Sequence, residues 1–499
     1  MKKLLYITVA IFINATISWS QNGTRLIGFD AVTSGRGGTA TGFFDNPSLM
    51  MNNPAGLSFL KSSEADLSFS MMVPRVYFQN KNNITYGEDN LFPLGCISYA
   101  HKSPKKFSYG IGVFTQGGMG ADFRLNHDLY KDQAGNYIQQ TYHSKFAVMQ
   151  GGGSLAYKLN KHFSIGATAN LVYGQVAFQM PMAMPPSMLK GILNPQTGMT
   201  FGDLFAAPAA NGGLNYSEVV ASANMQSLSA LGFNGKIGFA YKANDHFAFG
   251  INYSLPVNLN YKNGTAAMDM TYQMNNAFGK VVSMIMQQCP DLTVQEAQQQ
   301  AMIQFSQMGI DLSKGASDFY DASAKFGLPQ SLSAGIFISP IKKLRFAVDG
   351  EWINWKNAFD QMDISLTHGV NTNIGKMVGV QGNFAMAFPL NWKNTVVVRT
   401  GAEYDVCKSI TVRTGYAYGS NPVPSTTIFP VFPAIVTDHF TAGLSVKLSK
   451  AIVVNGAYEY AFENKEKAAS KSLIANEYNN STSGLENKIF HASISWLLK

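Results

Sequence analysis

Hydrophobic residues recur at every second position over long stretches of this chain. From 246 to 261 one face reads Phe247, Phe249, Ile251, Tyr253, Leu255, Val257, Leu259 and Tyr261, and the other His246, Ala248, Gly250, Asn252, Ser254, Pro256, Asn258 and Asn260. A period of two belongs to a β-strand, whose successive side chains leave opposite faces. The run exceeds the usual strand of about five or six residues. It suits the roughly 9 to 11 residues that cross a bilayer with an apolar lipid face and a polar lumen face. The same alternation marks the segments 63–78, 92–101, 106–116, 145–158, 162–178, 229–242, 247–262, 328–339, 344–358, 392–405, 410–419, 437–448, 451–463 and 487–498. They predict an all-β fold, a transmembrane β-barrel of about 14 antiparallel strands. In the last of them Phe490, Ala492, Ile494, Trp496 and Leu498 face lipid, with His491, Ser493 and Ser495 inside.

The connections sharpen the reading. Every second one is a short polar turn: Lys102 to Lys105, Asn160-Lys161, Asn244-Asp245, Ile341 to Lys343, Cys407-Lys408 and Ser449-Lys450. The intervening ones are long, above all at about 180–228 and 263–327. Short turns on one side and long loops on the other are the asymmetry of an outer-membrane barrel. The stretch from Phe163 to Leu189 has no charge and is long enough for a membrane helix. Its alternation and the breakers Pro181, Pro185 and Pro186 make it a strand instead.

Composition fits this class. Of 499 residues, 46% are hydrophobic and only 14% charged, against roughly 25% charged in soluble domains. The mean hydropathy of -0.03 shows the apolar residues diluted rather than massed into helical spans. The net charge of +8 is scattered without a basic run, so no nucleic-acid partner is indicated. Cys96, Cys289 and Cys407 are far apart and odd in number, which excludes a disulfide framework. Lys2 and Lys3, the apolar stretch Leu4 to Ile17 and Ser18-Trp19-Ser20 read as a signal peptide over residues 1–20. Residues 21–60 are rich in glycine and small residues, too irregular for a strand and too apolar for a free tail. They are expected to form a hatch inside the lumen, with the barrel over 61–499.

The segments Gly28-Phe29, Ser34 to Ala40, Asn53-Pro54-Ala55-Gly56-Leu57 and Leu328 to Gly335 occur in that order along the chain. They are followed by Trp352-Ile353-Asn354-Trp355, Arg413 to Tyr418, Pro422-Val423-Pro424 and Asp438-His439-Phe440. In this set the chain resembles the FadL/TodX-type outer-membrane transporters of long-chain fatty acids and hydrocarbons. The resemblance implies a fourteen-stranded barrel, a hatch carrying Asn53, Pro54 and Ala55, and a lateral exit where the third strand kinks. It also implies passive uptake of hydrophobic molecules, with a hydrophobic small-molecule ligand and outer-membrane lipids as partners. The barrel assembly machinery is an expected partner during biogenesis, the chain is expected to act as a monomer, and no cofactor or metal is expected.

Candidate residues follow. Asn53, Pro54 and Ala55 are expected to gate release. Gln116-Gly117-Gly118-Met119-Gly120 breaks the alternation of the third strand, and Gly within a strand marks a bulge or bend; Gly117, Gly118 and Gly120 therefore mark the exit, with Pro256 as the rival position. Alternation turns Lys236, Arg345, Asp349, Glu351, Arg399, Glu403, Arg413, Glu64 and Asp66 inward. Arg offers a forked donor set for a carboxylate, so Arg399 and Arg413, then Lys236, are the head-group candidates. Met180, Met182 and Met184 of the first long loop and Met302, Phe305 and Met308 of the second suit a capture groove that accepts many apolar shapes. Thr293 and Glu296 form a capping box that starts a helix there, and Gly309 ends it.

No enzyme is indicated. Gly35 to Ala40 fits a loose dinucleotide pattern without a βαβ context. No nucleophile-elbow or zinc-helix motif occurs, and the eight His show no ligand spacing. Two alternatives to uptake are an assembly or secretion-accessory barrel and an outer-membrane barrel hydrolase with a lumen Ser/His pair.

Overall fold

The computed structural model describes residues 23–498; the expected signal peptide lies outside the described residues. The barrel strands are β1 (Ser63–Gln79), β2 (Phe92–His101), β3 (Phe107–Leu125), β4 (Gln140–Lys158), β5 (Phe163–Met184) and β6 (Val219–Lys242). Four interrupted strands follow: β7 (Phe247–Ser254 and Val257–Asp269), β8 (Ser317–Leu328 and Ser331–Ile341), β9 (Leu344–Ile353 and Gln361–Thr367) and β10 (Phe384–Pro389 and Thr395–Asp405). The circuit ends with β11 (Ile410–Gly419), β12 (Asp438–Lys447), β13 (Ile452–Lys467) and β14 (Thr482–Leu498). These are the 14 antiparallel strands of a closed barrel, sealed where Ser63 to Gln79 pairs with Leu498 to Thr482.

Apolar side chains face outward. In β3 the exposed Phe107, Tyr109, Ile111 and Val113 alternate with buried Ser108, Gly110, Gly112 and Phe114. In β14 Phe490, Ile494, Trp496 and Leu498 are exposed while His491, Ser493 and Ser495 are buried. That polarity is the reverse of a soluble barrel and matches lipid outside and a polar lumen inside.

Two sequence expectations are corrected. The apolar face of β7 does not run in one register to Tyr261. Leu255 and Pro256 are both exposed, after which Val257, Leu259 and Tyr261 are buried and Asn258, Asn260 and Lys262 face out. Tyr253 pairs with Ile237 and Lys262 with Ser229, so β7 carries one more residue than β6 across this stretch. Pro256 has no N–H for the ladder, and the extra residue swaps the faces. Beyond the swap the outward side is polar, and the apolar side chains build an outer lobe.

The long loops are also shorter than expected. Met180, Met182 and Met184 belong to β5, paired with Ala223, Ala221 and Val219 of β6. β7 continues to Asp269 and β8 begins at Ser317. Strands that leave the bilayer keep their ladders because each N–H and C=O still finds a neighbour. The loop helix Val294–Gln307 is present, with its Thr293/Glu296 capping box and Gly309 at φ +81°. A second helix, Thr271–Gln288, precedes it and packs against it through Phe278 and Phe305, ring centres 5.6 Å apart.

Residues 23–60 lie inside the barrel and are almost all buried. A short helix, Ala31–Gly35, is capped by Asp30, whose side chain accepts from Val32 and Thr33. A second, Leu49–Asn52, leads into the 3₁₀ turn Pro54–Phe59, which has Pro at its start, where a missing N–H costs nothing.

Candidate functional site

Asn53 is fully buried. Its Nδ2 donates to the carbonyls of Thr41 (2.9 Å) and Phe239 (3.0 Å), and its Oδ1 accepts from Ala55 N (3.2 Å). The wall beneath has no side chains: Gly166 and Gly238 pair in register on β5 and β6. A Cβ on Gly166 would stand 2.5 Å from Ala55 N, and one on Gly238 2.2 Å from Asn53 Oδ1. Asn53, Pro54 and Ala55 therefore rest on bare backbone, joined to the wall through Asn53.

The inward charges tie the segment to the wall. Arg36, with no exposed side-chain surface, donates from Nη1 to Glu403 Oε1 at 3.0 Å and from Nη2 to Asp45 Oδ1 at 2.8 Å. Glu403 also accepts from Arg413 Nε at 2.6 Å and Arg345 Nε at 2.9 Å. Glu351 is shared by Arg399 Nη2 and Arg25 Nη1, both at 2.8 Å. Asp349 accepts from the backbone N–H groups of Ala40 (2.7 Å) and Thr41 (2.8 Å). Lys236 donates to Ser254 Oγ at 2.6 Å. Arg399, Arg413 and Lys236 are thus inward, as alternation requires, but engaged with wall partners.

The third strand carries a bulge between Thr115 and Gly117. Gly117, Gly118 and Gly120 lie within β3, still paired with β4 at Val148, Ala147 and Lys145. On the other side the wall is interrupted. β2 and β3 pair only from His101/Tyr109 to Cys96/Phe114, while Phe92 to Gly95 pair with β1 alone. A side chain bridges the break: Thr115 Oγ1 accepts from Gly95 N (3.2 Å) and donates to Gly95 O (3.1 Å). The N-terminal segment then takes the vacated edge, with Leu26 N donating to Gln116 O (3.2 Å) and Gly118 N to Thr24 O (3.0 Å).

A cavity of about 480 Å³ lies at this break. Leu91, Phe92, Leu94 and Met149 form its outer side, Thr24 and Ile27 its N-terminal side, and His439, Glu459, Asn487 and Ile489 its lumen side. Arg399, Arg413 and Lys236 do not line it. The ladder between β6 and β7 is also interrupted after Pro256. There Val257 and Leu259 close the space, within 2.9 and 2.7 Å of where a Cβ on Gly232 would stand.

Above the cavity, a narrow space of about 40 Å³ is lined by Phe146, Phe178, Phe326, Phe359, Phe388 and Phe432, and shares Lys145 and Phe146 with the larger one. Met180, Met182 and Met184 are buried in this same apolar core. Phe305 and Met308 border a space of only about 20 Å³ with Met274, Ala277 and Phe205. Met302 is exposed, on the other side of its helix. The structure joins Phe305 and Met308 but separates both from Met302.

One cluster escaped the sequence reading. His439 Nδ1 is 2.7 Å from Glu459 Oε1, His491 Nε2 is 3.4 Å from Glu459 Oε2, and His491 Nδ1 is 2.7 Å from Ser70 Oγ. These side chains come from β12, β13, β14 and β1, so no spacing along the chain announces them. Inward parity on each strand was the available signal.

A lipid-facing barrel, occupied by its own N-terminal segment and holding an apolar chamber at a break in its wall, defines an outer-membrane transport barrel. The chain belongs to the outer membrane protein transport protein family (OMPP1/FadL/TodX), whose sequence profile matches residues 21–495, and its place is the outer membrane. The Pseudomonas putida toluene transporter TodX superposes with a TM-score of 0.66 at 17% identity, over 95% of this chain and 99% of that one. A Pseudomonas aeruginosa FadL homologue gives 0.66 at 16% over 96% and 100%, and the Ralstonia pickettii toluene transporter TbuX 0.61 at 17% over 94% and 98%. At these identities the likeness is one of fold. An uncharacterized protein from the phosphoenolpyruvate carboxykinase gene 5' region of Chlorobium limicola is 32% identical over 113 residues, 22% of this chain and 55% of that protein. The chain thus spans about half the length of that relative.

Proposed function

We propose that this protein carries hydrophobic small molecules passively across the outer membrane and releases them sideways through its wall. The reading rests on one observation: the 480 Å³ cavity runs from the lumen residues His439 and Glu459 to the break beside Gly117, Gly118 and Gly120. An apolar solute that leaves there meets lipid and never crosses water, which its transfer free energy opposes at roughly 25 cal/mol per Å². The aromatic passage above the cavity is the entry route, and the outer lobe with its two helices captures the ligand. Residues 21–60 act as the hatch, with Asn53, Pro54 and Ala55 as its hinge on the bare glycine floor. Arg399 and Arg413 brace Glu351 and Glu403, the wall carboxylates that also hold Arg25 and Arg36 of the hatch, rather than a ligand head group.

Mass spectrometry of small molecules co-purified with the protein in mild detergent tests this. Hydrophobic compounds near one per barrel are the expected result. An empty barrel that retains a stable protein partner overturns it in favour of an assembly role.

A further inference from the structure

The 480 Å³ cavity is apolar at its outer side and polar at one place on its lumen side. His439, Ala461 and Asn487 stand in one row across β12, β13 and β14, since His439 pairs with Ala461 and Ala461 with Asn487. The two polar residues are separated by two strand spacings, about 9.5 Å, and the residue between them is the smallest with a Cβ. The row is therefore a notch, a methyl group between two longer polar side chains; His439 and Asn487 line the cavity and Ala461 is covered.

Both rims of the notch carry an unsatisfied atom. His439 is 2% exposed and Asn487 5%, both line the cavity, and among the described residues neither His439 Nε2 nor Asn487 Oδ1 has a hydrogen-bond partner. A buried polar atom left in this state costs about 1–3 kcal/mol, which a ligand group relieves when it arrives.

The bonds behind the notch decide which group that is. Glu459 Oε1 lies 2.7 Å from His439 Nδ1, and His491, joined to Ser70 through Nδ1, stands with Nε2 3.4 Å from the second oxygen of Glu459. The 2.7 Å contact is a hydrogen bond to the Glu459 carboxylate when neutral His439 carries its proton on Nδ1. His439 Nε2 is then a lone-pair acceptor. Asn487 Oδ1 is an acceptor as well. Two acceptors beside an acidic side chain call for a proton donor and disfavour a carboxylate. The cations of the lining lie elsewhere: Arg25 is paired with Glu351, and Lys145 is exposed.

We infer that the His439–Ala461–Asn487 notch is a specificity site that selects hydrophobic molecules bearing a hydroxyl group, alcohols or phenols, from otherwise similar apolar molecules and fatty carboxylates. The inference rests on the uptake reading above and names its substrate class.

The test is displacement of a hydrophobic fluorophore from the purified full-length protein by 1-dodecanol, its methyl ether and dodecanoate. The ether keeps the oxygen and loses the proton. Wild-type protein is expected to bind the alcohol about 5-fold more tightly than the ether, the worth of one net hydrogen bond. His439→Leu is expected to equalise the two, and His439→Gln, which keeps an acceptor, to restore part of the preference. Equal displacement by alcohol and ether from the wild-type protein overturns the inference alone, and so does tightest binding of dodecanoate. Failure of all three to displace the fluorophore overturns the uptake reading with it.

Discussion

The carbonyl of Thr24 accepts a 3.0 Å hydrogen bond from the N–H of Gly118, so the N-terminal segment supplies the backbone partner that β2 no longer gives β3. The seal at the wall break is thereby part of the segment that fills the lumen. On the proposed uptake reading, movement of that segment and opening of the break are one event. A Cβ on Gly117 would stand 2.0 Å from Thr24 O, so only glycine permits the contact. Gly117→Val is expected to push Thr24 off this edge, read as faster amide exchange at Leu26, and Gly118→Phe to yield a heat-modifiable barrel that binds ligand but transports it slowly. A wild-type uptake rate in Gly118→Phe would move the exit elsewhere.

Asn53 satisfies the carbonyls of Thr41 and Phe239 at once. Asn53→Ala leaves both without that donor and is expected to speed amide hydrogen exchange over residues 41–59 while the barrel strands exchange as before. Pro54→Ala is expected to assemble normally and slow uptake. A Pro54→Ala protein with unchanged uptake counts against a hinge at this position.

Glu403 is shared by Arg36, Arg345 and Arg413. Glu403→Gln leaves the Arg413 guanidinium without its carboxylate, while Arg36 keeps Asp45 and Arg345 keeps Asp405, at a cost of about 3–5 kcal/mol, read as a lower urea midpoint. Arg399→Gln removes an anchor on Glu351 and is expected to weaken charged and neutral ligands alike. Selective loss of carboxylate ligands in that variant would return Arg399 to the head-group role.

The outer lobe has a pH limit. Glu477, in the loop between β13 and β14, accepts from Tyr142 at 2.8 Å, and burial pushes its carboxyl from an ordinary value near 4.5 up to about 8. A raised carboxyl favours the protonated folded state, so its contribution is complete below about pH 4.5 and is lost as pH rises through about 8. Hydrogen exchange of residues 468–481, corrected for the intrinsic rate, is expected to accelerate across that window. Glu477→Gln should flatten the dependence, and an equal dependence in that variant would assign it to another group.

Alternation and turn asymmetry carried the barrel, its strand count and its lipid face, because a bilayer imposes one rule on every spanning strand and that rule is local. The capping box at Thr293 and Glu296 was legible for the same reason: its partners lie three residues apart. Three-dimensional closure decided the rest. Pro256 reversed the faces of β7, which no count of apolar residues records, since a period of two is blind to one inserted residue. Met180, Met182 and Met184 became strand because a partner in β6 existed to pair with them. Arg399 and Arg413 were legible as inward charges, but their ion pairs depend on which strands become neighbours. The His439–Ala461–Asn487 notch depends on the stagger of three strands whose residues are far apart in the chain. The sequence by itself determined which way the side chains of the regular spanning strands point; the reversal in β7 and the choice of which side chains meet inside the lumen were decided only when the wall closed around the N-terminal segment.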